Sequence, residues 1–193
     1  MSKILHGRHE WISRSFVVVV ALSVFVMPNI SCVKDRNRYD DELFYKDVAW
    51  GIMTGVVTIY NQNIVGTPTG AVDTTASGPF GEGTVHITGT TSYDPGSDIQ
   101  VVHLQYAMLA CRVSSTDSSA DLDVDLTLDG VISEDGSWSP THTSLSYDSD
   151  TLYVDGVSRR DSRERKVNGT TTFKANRTSS GTSAELFGFK VSW

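Results

Sequence analysis

The chain has 193 residues, of which 39% are hydrophobic and 20% charged, and its formal net charge is −7 at pH 7. This length is enough for one domain with its own hydrophobic core. Because so acidic a chain repels phosphate backbones, nucleic acid is not predicted as a partner.

An apolar run, Phe16–Met27, is the first feature in chain order. It follows a basic start, because residues 1–15 hold more basic than acidic side chains, and Pro28 ends it. Basic start, apolar run and helix breaker in this order are typical of a secretory signal. The run has 12 residues, whereas a membrane-spanning helix needs roughly 20. A secretory signal is therefore favoured over a permanent transmembrane anchor.

A cysteine lies where the apolar run ends, in Ile30-Ser31-Cys32, directly after a small residue. This pattern resembles the lipobox of bacterial lipoproteins. The resemblance implies that residues 1–31 are a signal peptide and that Cys32 carries lipid, making the membrane a partner through the N-terminus. It also implies a cell-envelope location, at the outer membrane or the periplasmic face. An ordinary cleaved signal with an incidental Cys32 is the alternative.

Residues 32–40 are charged and lack apolar periodicity, which predicts a tether, and residues 41–193 are predicted to form a single domain. Helical spacing of apolar side chains predicts a helix over about 41–53. The β-branched residues at 56–60 favour a strand instead. Residues 61–83 are rich in Gly, Pro and small polar side chains and predict a loop, without the spacing of a phosphate-binding loop.

Beyond Gly83 the apolar residues recur with a period of two, which is typical of strands. The predicted strands are Thr84–Thr90, Ile99–Cys111, Asp121–Asp129, Leu145–Tyr147, Thr151–Val157, Val167–Ala175 and Glu185–Trp193. Three Asp-Gly pairs, at 129–130, 135–136 and 155–156, predict hairpin turns. The fold class is therefore mainly β: an antiparallel meander forming a sandwich or partly closed barrel, with one N-terminal amphipathic helix.

Two cysteines, Cys32 and Cys111, make up the whole cysteine content. If Cys32 is acylated, Cys111 has no partner and is predicted to be a buried apolar thiol. If Cys32 is not acylated, the two thiols can pair in an oxidising compartment. A nucleophilic Cys111 is the least favoured interpretation, because no histidine stands in a recognisable arrangement with it.

Acidic and histidine side chains suggest two metal sites, and neither is favoured. Asp121, Asp125 and Asp129 alternate along a strand, too far apart for neighbours to share one ion, and the EF-hand spacing is absent. His86 and His103 on adjacent strands lack a third ligand. The row of carboxylates is therefore predicted to be a solvated outer face.

Known catalytic motifs are missing: the chain has no Gly-x-Ser-x-Gly, His-Glu-x-x-His or Cys-x-x-Cys. No catalytic residue, metal ligand or cofactor is predicted, and the only site residue is Cys32, for lipidation. The basic segment 159–166 is predicted to be a solvated hairpin loop, with contact to an anionic surface as the alternative.

These features predict a lipid-anchored bacterial envelope protein, non-enzymatic and either structural or ligand-binding, with an envelope protein or a glycan as a further partner. The alternative is a small outer-membrane β-barrel, because the last strand alternates apolar residues and ends in Trp193. An enzyme of another type would require a deep cleft with converging acids or histidines.

Overall fold

The computed structural model describes the backbone of residues 28–67 and 69–193, and the side chains of these residues from Asp40 onwards. Residues 1–27 of the predicted signal peptide and the side chain of Cys32 lie outside this description. The chain divides into two compact units, Met1–Asp41 and Glu42–Trp193, and all the strands belong to the second. Within the described residues, no helix is both long and apolar enough to cross a membrane.

Helix α1, Pro28–Asn63, extends in both directions beyond the predicted 41–53. The predicted tether, residues 32–40, has helical backbone. Residues 56–60, predicted as a strand, are helical too, because Val56, Ile59 and Tyr60 fall on buried positions of the helix. Burial of these side chains outweighs the modest β preference of the segment.

Eight strands follow the helix: β1 Gly70–Ser77, β2 Thr84–Asp94, β3 Ile99–Asp117, β4 Leu122–Trp138, β5 Thr143–Arg160, β6 Arg163–Thr178, β7 Gly181–Leu186 and β8 Phe189–Ser192. Each strand pairs antiparallel with the next, which gives one sheet in the order β1 to β8. The predicted antiparallel meander and mainly β class are confirmed. Among the described strands, β1 and β8 do not pair, so the sheet is open and both are edges.

Two predicted segments differ from the structure. Strand β1 occupies part of the predicted loop 61–83. Its alternate residues are only half-buried, and most of its side chains are small, so the sequence lacks the apolar alternation that would indicate a strand. The predicted strand Glu185–Trp193 is divided into β7 and β8 by a turn at Phe187 and Gly188, both of which have positive φ. Phe187 and Phe189 nevertheless both lie against the ring of Tyr45.

The three Asp-Gly pairs do not form turns. Gly130 and Gly136 lie inside β4, Gly156 lies inside β5, and all three have φ between 134° and 151°. A Cβ atom on Gly136 would lie 2.1 Å from the carbonyl oxygen of Ser144 on the paired strand. The glycines therefore permit a bend and a close approach within a continuous ladder. Leu145–Tyr147 and Thr151–Val157 are also parts of one strand, β5, which continues through residues 148–150 with a register shift there.

Helix α1 is enclosed along much of its length, because no residue between Glu42 and Tyr60 is exposed. A helix on a flat sheet would leave one side in water, so the sheet must curve round this one. Register shifts in the β3–β4, β4–β5 and β5–β6 pairings, together with the bent glycines, permit this curvature.

Contacts with the helix come from distant strands. The Tyr45 ring stacks on Phe189 of β8 with 4.4 Å between centroids. Buried Asp47 accepts two hydrogen bonds from Arg160 at the end of β5, at 2.6 and 2.9 Å. Helix and sheet side chains thus form a single hydrophobic core with this ion pair at its margin.

Candidate functional site

The inner face of β4 carries one charged side chain, Glu134. Even-numbered residues from Leu122 to Glu134 are buried, except Gly130, and the odd-numbered ones are half-buried or exposed. This alternation places Glu134 among apolar side chains, where it is only 4% exposed. A buried carboxylate loses its hydration, so it requires hydrogen-bond donors from the protein.

Two tyrosines supply these donors. The hydroxyl of Tyr106 on β3 donates to one carboxylate oxygen of Glu134. The hydroxyl of Tyr147 on β5 donates to the other at 2.8 Å. The register places Tyr147 directly opposite Glu134, on the neighbouring strand. Glu134, Tyr106 and Tyr147 are called the carboxylate–tyrosine cluster below.

Burial raises the pKa of Glu134, while the hydrogen bonds from Tyr106 and Tyr147 and the positive charge of Arg177 act in the opposite direction. Burial and the negative charge of Glu134 raise the pKa values of Tyr106 and Tyr147 far above the ordinary 10.0. Both hydroxyls therefore stay protonated. Each donates its hydrogen to Glu134, and its oxygen can still accept a hydrogen bond. The cluster is a fixed polar centre in an apolar interior.

A small cavity lies close to the last turns of α1. Its sheet side is a row of three side chains that the register places next to one another: Tyr93 on β2, Gln100 on β3 and Trp138 on β4. Tyr60 and Ile64 line it from the helical side. The volume is about 110 Å³. Tyr93 and Trp138 are partly exposed, so this mouth cavity opens to solvent.

Tyr60 connects the mouth cavity with the carboxylate–tyrosine cluster. Its pKa is raised by burial and by the negative charge of Glu134, and lowered in part by a hydrogen bond with Trp138. The charge of Glu134 therefore acts on a wall of the cavity. Since Tyr60 and Trp138 both line the cavity, a molecule bound there would contact the same aromatic pair.

Of the two cysteines, the structure describes the side chain of Cys111. The side chain of Cys32 is outside the described residues, so its lipidation stays a prediction. Cys111 is a buried free thiol, and burial raises its pKa to about 11. A thiol that is buried and protonated is a poor nucleophile, which agrees with the apolar role predicted for it.

Asp123, Asp125 and Asp129 of β4 lie on the outer face, as predicted, and are paired. Asp125 accepts two hydrogen bonds from Arg112 at 2.8 and 2.9 Å, and Asp123 lies 3.1 Å from Arg159. Asp129 accepts a hydrogen bond from the backbone N–H of Ala110. In the part of the chain that the structure describes, no three metal-ligating side chains are grouped to hold an ion.

The two histidines are not brought together. His86 bonds to Asp73 at 2.7 Å and His103 to Asp135 at 2.8 Å, and the register sets each histidine opposite a different residue of the neighbouring strand. The basic segment 159–166 is a hairpin tip whose turn is at Asp161 and Ser162, and the strands β5 and β6 continue up to it.

Glu134, Trp138 and the tyrosines around them were not identified from the sequence. The signal was present: reading 122–138 as one strand with strict alternation would place Glu134 on the apolar face. Interpreting Asp135-Gly136 as a turn concealed that alternation. Comparison of the chain with models of protein families, with curated proteins and with solved structures finds no match.

Proposed function

We propose that this chain is a non-enzymatic ligand-binding protein of the bacterial cell envelope, attached to the membrane through lipid on Cys32. Its domain is a partly closed barrel around α1, and a small molecule binds at the mouth cavity. The lining of that cavity carries the proposal: it is solvent-open and lined by three aromatic side chains, one of which, Tyr60, has its pKa raised by burial and by the negative charge of Glu134. The lining also holds Thr67, Thr91 and Gln100, and convergent polar groups of this kind fix the orientation of a ligand.

The carboxylate–tyrosine cluster favours binding over catalysis. Its tyrosine hydroxyls are held protonated by burial and by Glu134, and Glu134 already has a donor on each oxygen. A general acid or base must reach its substrate within hydrogen-bond distance. Glu134 does not line the mouth cavity, so it acts there through its field and by fixing the walls.

Binding at the mouth cavity is tested by two-dimensional NMR of the protein against a library of small fragments. We expect some fragments to shift the indole N–H signal of Trp138, and Trp138→Leu to abolish their binding. The matched control is Phe80→Leu, which removes an exposed aromatic side chain outside the cavity. Binding that is unaffected by Trp138→Leu would place the ligand elsewhere.

Membrane attachment is tested by the mass of the mature N-terminus. We expect a chain that begins at Cys32 with acyl groups, and a Cys32→Ala variant that incorporates no labelled fatty acid. Since acyl chains anchor by ~0.8 kcal/mol per buried methylene, the variant should also leave the membrane fraction. A mature chain that begins elsewhere, or a soluble intact chain with both thiols free, would refute this part of the proposal.

A further inference from the structure

We infer that the mouth cavity binds a small organic cation with an alkylated ammonium group, an inference that rests on the proposed ligand-binding function. The cavity is lined by three aromatic side chains and by neutral polar groups, in a chain of net charge −7. The aromatic rings and the negative charge favour the alkylated cation, and the polar groups can bind a hydroxyl on the rest of the ligand.

Three aromatic side chains, Tyr60, Tyr93 and Trp138, line the cavity. The face of an aromatic ring carries negative potential and attracts cations placed within about 6 Å of its centroid, with Trp the strongest. Aromatic cages of this composition are the general solution for ammonium groups that carry alkyl substituents. The aromatic walls therefore favour a cation with an apolar surface.

The charged groups around the cavity also favour a cation. Burial and the negative charge of Glu134 raise the pKa of Tyr60, which lines the cavity, and Arg177 offsets part of the charge of Glu134. Asp98 accepts a hydrogen bond from the Tyr93 hydroxyl at 2.8 Å, next to the cavity. The whole chain has a net charge of −7. This potential attracts cations and repels anionic ligands such as phosphates.

Among the side chains that the structure describes, no carboxylate lines the cavity, which distinguishes between kinds of cation. A primary ammonium group has three N–H donors and requires acceptors in contact with it. A fully alkylated ammonium has none, so it needs only a negative potential and apolar contact. Gln100 and Thr91, also in the lining, are available to bond a hydroxyl on the remainder of the ligand.

Size restricts the ligand further. The volume of about 110 Å³ is well below the roughly 300–1,000 Å³ of sites for drug-sized molecules. It suits one compact head group rather than a ring system or a lipid tail. A trimethylammonium group with a short hydroxylated arm meets these requirements, and choline is the simplest probe.

The test compares choline with 3,3-dimethylbutan-1-ol, an uncharged molecule of the same shape. Each is titrated calorimetrically into the mature protein in a non-ionic detergent. We expect choline to bind at least ten-fold more tightly than the alcohol. Equal affinity for the two would overturn the inference, because binding would then depend on shape alone.

Variants identify the groups responsible. Trp138→Leu should weaken choline binding at least ten-fold, whereas Phe80→Leu should leave it unchanged. Glu134→Gln should weaken choline binding by a larger factor than it weakens binding of the alcohol, because it removes the charge as well as one acceptor of the tyrosine hydroxyls. Choline binding that is insensitive to Trp138→Leu contradicts the site.

The inference and the proposed function fail differently. If neutral fragments bind at the mouth cavity and choline does not, the cation inference is wrong and the ligand-binding function stands. If no fragment or cation shifts the Trp138 signal, both are wrong.

Discussion

Glu134 is the residue at which the apolar interior of the sheet is interrupted. Removing water from a carboxylate is costly, and the hydroxyls of Tyr106 and Tyr147 replace that water with one donor on each oxygen. The replacement is incomplete, since the pKa of Glu134 remains raised by burial. An apolar side chain at this position would avoid the cost altogether, so packing alone does not account for it.

The raised pKa of Glu134 predicts a pH-dependent stability. The folded chain holds the proton more tightly than the unfolded chain, so the contribution of Glu134 is largest below the ordinary pKa of 4.5 and is lost as pH rises through the raised pKa. We expect wild type to lose stability relative to Glu134→Gln as pH rises over that interval. The loss should be about 1.4 kcal/mol for every pH unit that separates the folded pKa from the unfolded pKa. Urea unfolding from pH 4 upwards, on both proteins, measures this.

The control for this prediction is Glu185→Gln. Glu185 lies in a surface pair with Lys190, with its side chain 45% exposed. Its removal should change the stability by less than about 1 kcal/mol at any pH in the range. A constant difference between wild type and Glu134→Gln would show that the carboxyl has the same pKa in the folded and unfolded chains.

Among the elements, α1 approaches the sheet closely at two glycines. A Cβ on Gly51 would lie 2.5 Å from Val124 Cγ1, and one on Gly55 would lie 2.6 Å from Val113 Cγ1. Glycine weakens a helix interior by roughly 1 kcal/mol relative to alanine. Here it lets the helix backbone lie against β-branched side chains of β3 and β4. The contact between the helix and these strands therefore depends on the missing methyl groups.

Gly55→Ala tests this contact. The gain of about 1 kcal/mol in helix propensity opposes an overpacking cost of about 1–3 kcal/mol. Because Val113 is buried and stiff at χ1, we expect overpacking to prevail and stability to fall by about 1 kcal/mol. Chemical denaturation of the variant measures the change.

A second substitution makes this prediction specific. Val113→Ala removes the two methyl groups at 2.6 and 3.1 Å from the new Cβ and keeps its own Cβ at 2.7 Å, so it relieves part of the overpacking. The double variant should therefore show a favourable coupling of about 0.5 kcal/mol. Asn61→Ala, at an exposed helical position, is the control and should change stability by no more than about 0.5 kcal/mol. Additive effects of the two substitutions would mean that the helix and the sheet separate easily at this point.

For the domain as a whole, one curved sheet and one enclosed helix share a single core. Residues from α1 and from β2 to β8 are buried in it, whereas β1 contributes only half-buried side chains. Such a core should open as a unit, since removing any strand near the middle would expose the helix. Cys111, with no exposed surface, is a natural probe of this behaviour.

We predict that Cys111 reacts with thiol reagents only through global unfolding. In a Cys32→Ala background, burial and a pKa of about 11 should slow its modification at least ~10³-fold relative to the unfolded chain. The rate of labelling with and without denaturant measures this. A control chain with Ser118→Cys as its only thiol, in an exposed turn, should react at the unfolded rate. Rapid labelling of native Cys111 would reveal local opening of β3.

The sequence was enough to predict the segments whose own preference for strand or turn matches the structure that they adopt in the fold. Alternation in β3 and in the first half of β4 indicated strands. Short connections then favoured the order of the meander, because consecutive antiparallel strands pair most readily. The burial of Cys111 agrees with one of the two alternatives that the sequence left open for it.

Other features depend on contacts between distant segments, which overrule the local preferences. Asp135-Gly136 favours a turn in isolation, yet β4 is hydrogen-bonded on both sides, and pairing with two strands outweighs the preference of two residues. That continuity places Glu134 inside and Trp138 at the mouth cavity. Enclosure likewise keeps residues 56–60 helical. A site assembled from β2, β3, β4 and the end of α1 depends on register and curvature, which no single segment of the chain encodes.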